Sequence, residues 1–335
     1  MRALVVTKKG VSVQDFPVPA KLADTDVLVK VSAVALNPTD WKSAALERAR
    51  PPGTVVGCDF AGTVVCAGPA VPASRALGMR VAGFTMGGTH ADGGAFAEYA
   101  CAISDAEAAA MGCAFWTAAL GLYARAHLAL AYPPAQAEGE QWVYVHGGSC
   151  DGRRPLRVQL AALSGYRVVA TASPHNHELV RGFGADAVFD HRDPDVIALV
   201  KAAAGDAIAL AYDTIGDARA QATCVAVVRP TGGKVLHILP VDCEAADRAE
   251  VEHDYLLLYT ALGRDWTWGD KAWSAVPEDR EEMARFLEVL PELVGEGGIR
   301  PLPVKMWEGG LDAIPDGLDY LKEGKASGEK VVFRI

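Results

Sequence analysis

Residues 142–172 constrain the chain most, because they read as strand, glycine turn, helix and strand in immediate succession. Trp142-Val143-Tyr144-Val145-His146 is a β-branched and aromatic run that stops at Gly147-Gly148-Ser149. Over 156–163 the apolar positions Leu156, Val158, Leu160, Ala161 and Leu163 suit a helix. After Gly165, the run from Tyr166 through Val168 and Val169 to Ala172 predicts a second strand. In such a βαβ unit the helix N-terminus presents free N–H groups and the positive end of its dipole, which favour an anion such as a phosphate.

The glycines alone leave the ligand open. Gly147, Gly148 and Gly152 do not make G-x-G-x-x-G, and glycine turns between strand and helix occur without any nucleotide. The end of the second strand adds information. A site selective for NAD places Asp or Glu there for the ribose 2′-OH, whereas this chain has Ser173-Pro174-His175-Asn176-His177. Neutral or cationic donors suit a 2′-phosphate, so a bound dinucleotide would be NADPH, with Ser173, His175 and Asn176 as candidates. The alternative is that Ser173-Pro174 is a turn and helix cap ahead of Glu178.

The pattern then repeats. Helices are expected at 178–183 and 195–204, and strands at 184–190, 208–212 and 232–240. This alternation implies a parallel, doubly wound sheet with ligand at the carboxyl ends of its strands, which makes Ile215, Ile238 and Leu239 further cofactor-binding candidates. Before 142 the texture differs. Val27 to Val34 alternates like a half-buried strand, and short β-rich runs continue through Val55-Val56-Gly57-Cys58-Asp59-Phe60-Ala61-Gly62 to Gly93-Gly94-Ala95-Phe96-Ala97-Glu98-Tyr99, as in a turn-rich all-β module. Amphipathic helices at 280–294 and 311–321 precede a final strand at 330–335. Trp266, Trp268 and Trp273 either wall a pocket or staple a loop.

Bulk properties exclude several classes. The formal net charge of -10 argues against nucleic acid, and the densest basic cluster, Arg153, Arg154 and Arg157, falls inside the turn just described. Seven cysteines without a C-x-x-C pair read as reduced thiols of a cytoplasmic protein. The uncharged stretch 108–124 is short for a membrane span and rich in Ala and Gly, so a buried helix is expected, and Lys8 and Lys9 interrupt the first residues too soon for a signal peptide.

The order Asn37-Pro38-x-Asp40-x-Lys42, Gly57-Cys58-Asp59-Phe60-Ala61-Gly62, Gly93 to Tyr99, the βαβ unit and the closing Ser327-Gly328-Glu329-Lys330-Val331-Val332-Phe333 resembles the medium-chain dehydrogenase/reductase superfamily. Within it the chain looks like the zinc-free quinone-oxidoreductase and enoyl-reductase branch, especially the trans-acting enoyl reductases of fungal polyketide synthases. The resemblance implies an α/β protein: a GroES-like β-rich catalytic domain, 1–115 and 270–335, and a Rossmann NADPH-binding domain, 116–269. It puts a hydroxyl, here that of Thr117, near nicotinamide and substrate. A Thr in an apolar helix is otherwise core. At the tip of the third strand it puts an adenine-side residue, here His191, which is otherwise a solvated loop histidine. Zinc enzymes of the superfamily carry Cys where Asn37 stands and Gly-His-Glu where Gly57-Cys58-Asp59 stands, so no metal is expected.

The phosphate loop departs from the family's Gly-Gly-Ser-Ser-x-Val-Gly pattern. Gly147, Gly148, Ser149 and Cys150 are followed by Asp151, and then by three Arg that could offset that carboxylate near a pyrophosphate. A true variant and a local reading-frame error between Cys150 and Arg157 are the two explanations. The implied reaction is NADPH-dependent reduction of a C=C bond conjugated to a carbonyl, with Lys42 and Thr117 donating to the developing oxyanion. Lys42 is otherwise a surface lysine. The implied substrate is a small molecule or an enoyl thioester on an acyl carrier protein of a polyketide synthase, and the protein a monomer or homodimer. A freestanding quinone or enone reductase and a dinucleotide-binding scaffold without turnover are the alternatives.

Overall fold

The computed structural model describes residues 1–45, 51–72, 77–89, 93–103, 112–147, 155–241, 248–268, 271–300 and 302–335. They divide into two compact units, one of 1–113, 259–288 and 303–335, the other of 114–258 and 289–302. This division differs from the expected one at three places: residues 259–269 pack in the first unit, and 114–115 and 289–302 pack in the second.

In the first unit β1 (Arg2–Thr7) and β2 (Gly10–Asp15) form an antiparallel pair. A six-stranded sheet is built around β3 (Asp26–Ala35), with β4 (Asp59–Ala67), β5 (Arg80–Phe84), β6 (Tyr99–Ile103), β15 (Val304–Trp307) and β16 (Lys330–Arg334). Along β3 Val29 and Val31 are buried while Lys30 and Ser32 face solvent, the period of two that its sequence predicts, and beyond a register shift between Val31 and Ala33 the buried residue is Val34. Helices α1 (Pro38–Ala45) and α8 (Ile314–Lys322) belong to the same unit. Its core joins Leu4, Val29, Val34, Leu36, Phe60 and Phe96 to Ile314, Leu318 and Phe333 from the far end of the chain.

The second unit is a six-stranded parallel sheet in the order β12-β11-β10-β7-β8-β9. From β7 (Trp142–His146) the chain runs through α3 (Pro155–Leu163) to β8 (Arg167–Ala172), then through α4 (His177–Gly182) to β9 (Ala187–Asp190). Helix α5 (Val196–Ala204) returns it to β10 (Ile208–Asp213) on the other side of β7, and α6 (Ala218–Val227) leads on to β11 (Gly233–His237) and β12 (Val251–Tyr255). The strand order reverses between β7 and β10, the switch point at which open α/β sheets take ligands. Pro155 opens α3, where its missing N–H costs nothing.

Helices α1 and α6 and strand β12 are among the elements not expected from the sequence. Helix α6 starts at Asp217, whose side chain accepts from the Ala220 N–H, a cap signal present in the sequence. Strand β12, Val-Glu-His-Asp-Tyr, has no apolar run and exists because its backbone pairs in register with β11. Helix α2 (Gly112–Tyr123) carries the uncharged stretch and Thr117. Among the described residues, no helix is long and apolar enough to cross a membrane.

Candidate active site

The second unit brings most of the expected cofactor residues to one edge of its sheet, the carboxyl end. Gly147 follows β7 with a φ of +80°, a turn suited to glycine, and its N–H donates to Thr171 Oγ1 at 3.0 Å. Thr214, just beyond β10, donates its hydroxyl to the His146 carbonyl at 2.6 Å. Side chains therefore continue the cross-linking past the point where the strand ladder ends.

Asp213 fixes the next turn. One oxygen of its buried carboxylate accepts from the N–H groups of Ile215 (2.9 Å) and Gly216 (3.0 Å). The other lies 3.0 Å from His237 Nδ1, and His237 Nε2 lies 3.2 Å from His253 Nδ1, the two rings stacked. Burial works to raise this carboxyl, but the His237 contact and the N–H groups of Gly216 and Ile215 outweigh it and hold it below the usual carboxylate range. Ile215 and Ile238 are half-buried and Leu239 is exposed, on neighbouring turns. A Cβ on Gly216 would lie 2.8 Å from the Leu239 side chain.

Beside β7, Ser173 precedes a short 3-10 turn, Pro174–Asn176, without capping it through its side chain. Asn176 is buried and His175 exposed. His191 lies beyond β9 on the outermost strand, its Nδ1 3.6 Å from Asp190 Oδ1. Gly148, Ser149 and Cys150, with Arg153 and Arg154, lie outside the described residues. Arg157 does not remain in the phosphate turn as expected. It is buried in α3, with its guanidinium 4.7 Å from the centre of the Tyr212 ring. Thr117 is half-buried in α2.

In the first unit the motif residues Asn37 and Asp59 meet through a residue that the sequence reading quoted but gave no role. Lys330 donates to Asn37 Oδ1 at 2.7 Å and to Asp59 Oδ2 at 2.8 Å, while Asp59 Oδ1 accepts from the Cys113 N–H at 2.8 Å. Asp40 accepts from the Asn37 N–H at 2.7 Å. Cys58 is fully buried, with its Sγ 3.5 Å from the Tyr259 hydroxyl, which also lies 3.4 Å from Thr39 Oγ1. Burial pushes that phenol well above its ordinary range, with Cys58 and Cys113 adding to it. Lys42 is exposed on α1, its ammonium 5.9 Å from the centre of the Trp41 ring. Among the described residues, no three His, Cys, Asp or Glu side chains are grouped to hold a metal ion.

Comparison with known proteins fits this architecture. An alcohol dehydrogenase GroES-like domain model matches residues 23–112, and a zinc-binding dehydrogenase model matches 156–239. Across its whole length the chain is 39% identical to trans-enoyl reductase ACTTS2 of Alternaria alternata, covering 98% of that protein. The chain belongs to the medium-chain dehydrogenase/reductase superfamily. Within the superfamily it is also 37% identical to trans-enoyl reductase caaB of Aspergillus niger, over 96% of this chain and 93% of that one. Of solved medium-chain dehydrogenase/reductase folds, a putative zinc-dependent alcohol dehydrogenase from Rhizobium etli superposes with a TM-score of 0.81 at 25% identity, covering 100% of this chain and 98% of that one. A mycobacterial protein solved with NADPH superposes at 0.73 and 21%, covering 100% of each chain.

In this superfamily member two of the three tryptophans Trp266, Trp268 and Trp273 stack across a hairpin. Trp266 on β13 (Trp266–Trp268) pairs with Trp273 on β14 (Lys271–Trp273), their rings stacked 4.3 Å apart, with Tyr259 edge-on to Trp266. Trp273→Ala is expected to abolish the coupled-indole signal in circular dichroism and to cost about 0.5–1.5 kcal/mol. An unchanged spectrum would mean that the rings do not stack in solution.

Proposed function

We propose that the chain is an NADPH-dependent enoyl reductase acting on an acyl-carrier-bound enoyl thioester supplied by a polyketide synthase. The observation that carries the reading is the full-length identity to trans-enoyl reductases, 39% with one and 37% with another. The cofactor part rests on the sheet's carboxyl edge: a left-handed glycine turn after β7 and a β8 terminus with Ser173, His175 and Asn176 but no carboxylate. These residues fit a dinucleotide with a 2′-phosphate, and NADPH when bound would supply the hydride for the β-carbon.

The chain's own part is to orient the thioester and hold charge at its carbonyl oxygen. We assign the Lys42 ammonium and the Thr117 hydroxyl as the donors that stabilise this oxygen, and leave the α-carbon proton to solvent. Zinc is not needed in this scheme. The cation between Asn37 and Asp59 is the Lys330 ammonium, and this arrangement supports a zinc-independent enzyme.

The test is fluorescence titration with NADPH and NADH, followed by turnover of an enoyl-pantetheine thioester and a simple enone. Preference for NADPH with thioester turnover is the expected result. Turnover of the enone alone would favour a freestanding reductase, and no binding of either nucleotide would overturn the proposal. Asp213→Ala, which releases the Ile215 and Gly216 turn, is expected to weaken NADPH binding about 10-fold. The depressed Asp213 carboxyl contributes stability that is present above the ordinary carboxylate pKa and lost as pH falls through its folded value. The variant should therefore show a shallower acid-unfolding curve than the parent.

A further inference from the structure

We propose that Tyr212, held by Arg157, is the positioning residue for Thr117. This assignment rests on the reading of Thr117 as an oxyanion donor and extends it to Tyr212 and Arg157. Tyr212 is fully buried in β10, and its hydroxyl donates to the main-chain carbonyl of Thr117 at 2.7 Å. In an α-helix that carbonyl also takes the N–H of the residue four positions on, which is Gly121. A Cβ on Gly121 would lie 2.4 Å from the Tyr212 hydroxyl. Glycine is a costly residue in a helix interior, and here it opens the groove through which the phenol reaches the helix backbone.

The other side of the Tyr212 ring is equally defined. Arg157 is 2% exposed and places its guanidinium over the ring, 4.7 Å from the centroid. Burial pushes the phenol above its ordinary range although Arg157 works to lower it, so the hydroxyl stays protonated and donates. Arg157 belongs to α3, the helix that follows the phosphate turn, and Thr117 to α2. The Tyr212 side chain thus joins the helix that follows the phosphate turn to the turn of α2 that carries Thr117.

The experiment compares Tyr212→Phe, Thr117→Val and the double variant in NADPH-dependent turnover of an enoyl-pantetheine thioester. NADPH affinity is measured in parallel as the readout of an intact second unit. Tyr212→Phe keeps the ring under Arg157 and removes only the hydroxyl. It is expected to lower kcat about 10-fold with NADPH affinity unchanged, and the double variant is expected to be no slower than Thr117→Val alone, because Tyr212 acts through Thr117. Wild-type kcat in Tyr212→Phe, losses that multiply in the double variant, or an equal loss of NADPH affinity would each overturn the assignment. Full activity in Thr117→Val would overturn the underlying reading and this one with it, a pattern distinct from failure of Tyr212 alone. Arg157→Met is expected to give a smaller loss of the same kind, and wild-type turnover in it would remove Arg157 from the assignment.

Discussion

Thr117→Val is expected to lower kcat for an enoyl-pantetheine thioester about 100-fold, with NADPH affinity within about twofold of the parent. The substitution is nearly isosteric and exchanges a hydroxyl for a methyl at a half-buried helix position. If the hydroxyl meets the carbonyl oxygen as charge develops, its loss acts on the transition state and leaves cofactor binding in place, so kcat and kcat/KM fall together. Stopped-flow single turnover separates this from slower product release. Unchanged single-turnover rates would return Thr117 to the core of α2 and leave Lys42 as the only assigned donor.

Lys330→Met is expected to destabilise the protein by about 3–5 kcal/mol, the cost of leaving a buried charge without its partner. The Lys330 and Asp59 side chains are only 12% and 6% exposed, and Asn37 is fully buried beside them. Removing the ammonium strands the Asp59 carboxylate with one main-chain N–H and takes away the donor to Asn37 Oδ1. The urea midpoint reports the loss. Combining Lys330→Met with Asp59→Asn removes both charges and should recover more than half of it, since a neutral pair avoids the uncompensated ion. A single-variant cost below about 1 kcal/mol, the range of exposed ion pairs, would mean that water screens the pair in solution.

Legibility in the sequence followed the range of the interactions. Strand β7 and helix α3 were readable because their signals are local: a β-branched and aromatic run, a proline at the first helical position, glycine at the turn. The parallel sheet followed from the repeat of such units. Strand β12 was not readable, because Glu252, His253 and Asp254 carry no strand pattern and only pairing with β11 makes them one. Ile215, Ile238 and Leu239 could be put forward as candidates from strand ends alone, and the fold places them just beyond β10 and β11. The grip of Asp213 on the turn, and its link through His237 to His253, depends on which strands become neighbours. Arg157 was misread for the same reason. Its charge suggested a phosphate partner, and only the fold shows the Tyr212 ring beneath it.

The segmented make-up of the first unit bears on how the chain is made. Strand β16 pairs with β3, and the Lys330 ammonium meets Asn37 across 293 residues of sequence. During synthesis the β-rich amino-terminal stretch therefore leaves the ribosome long before its closing strand exists. Most of the second unit, 114–258, is by contrast a nearly continuous run of strand and helix that can pair as it emerges. The middle of the polypeptide is then the first part able to settle. Until residue 330 has been made, β3 lacks its neighbour along 33–35 and presents an unpaired edge there.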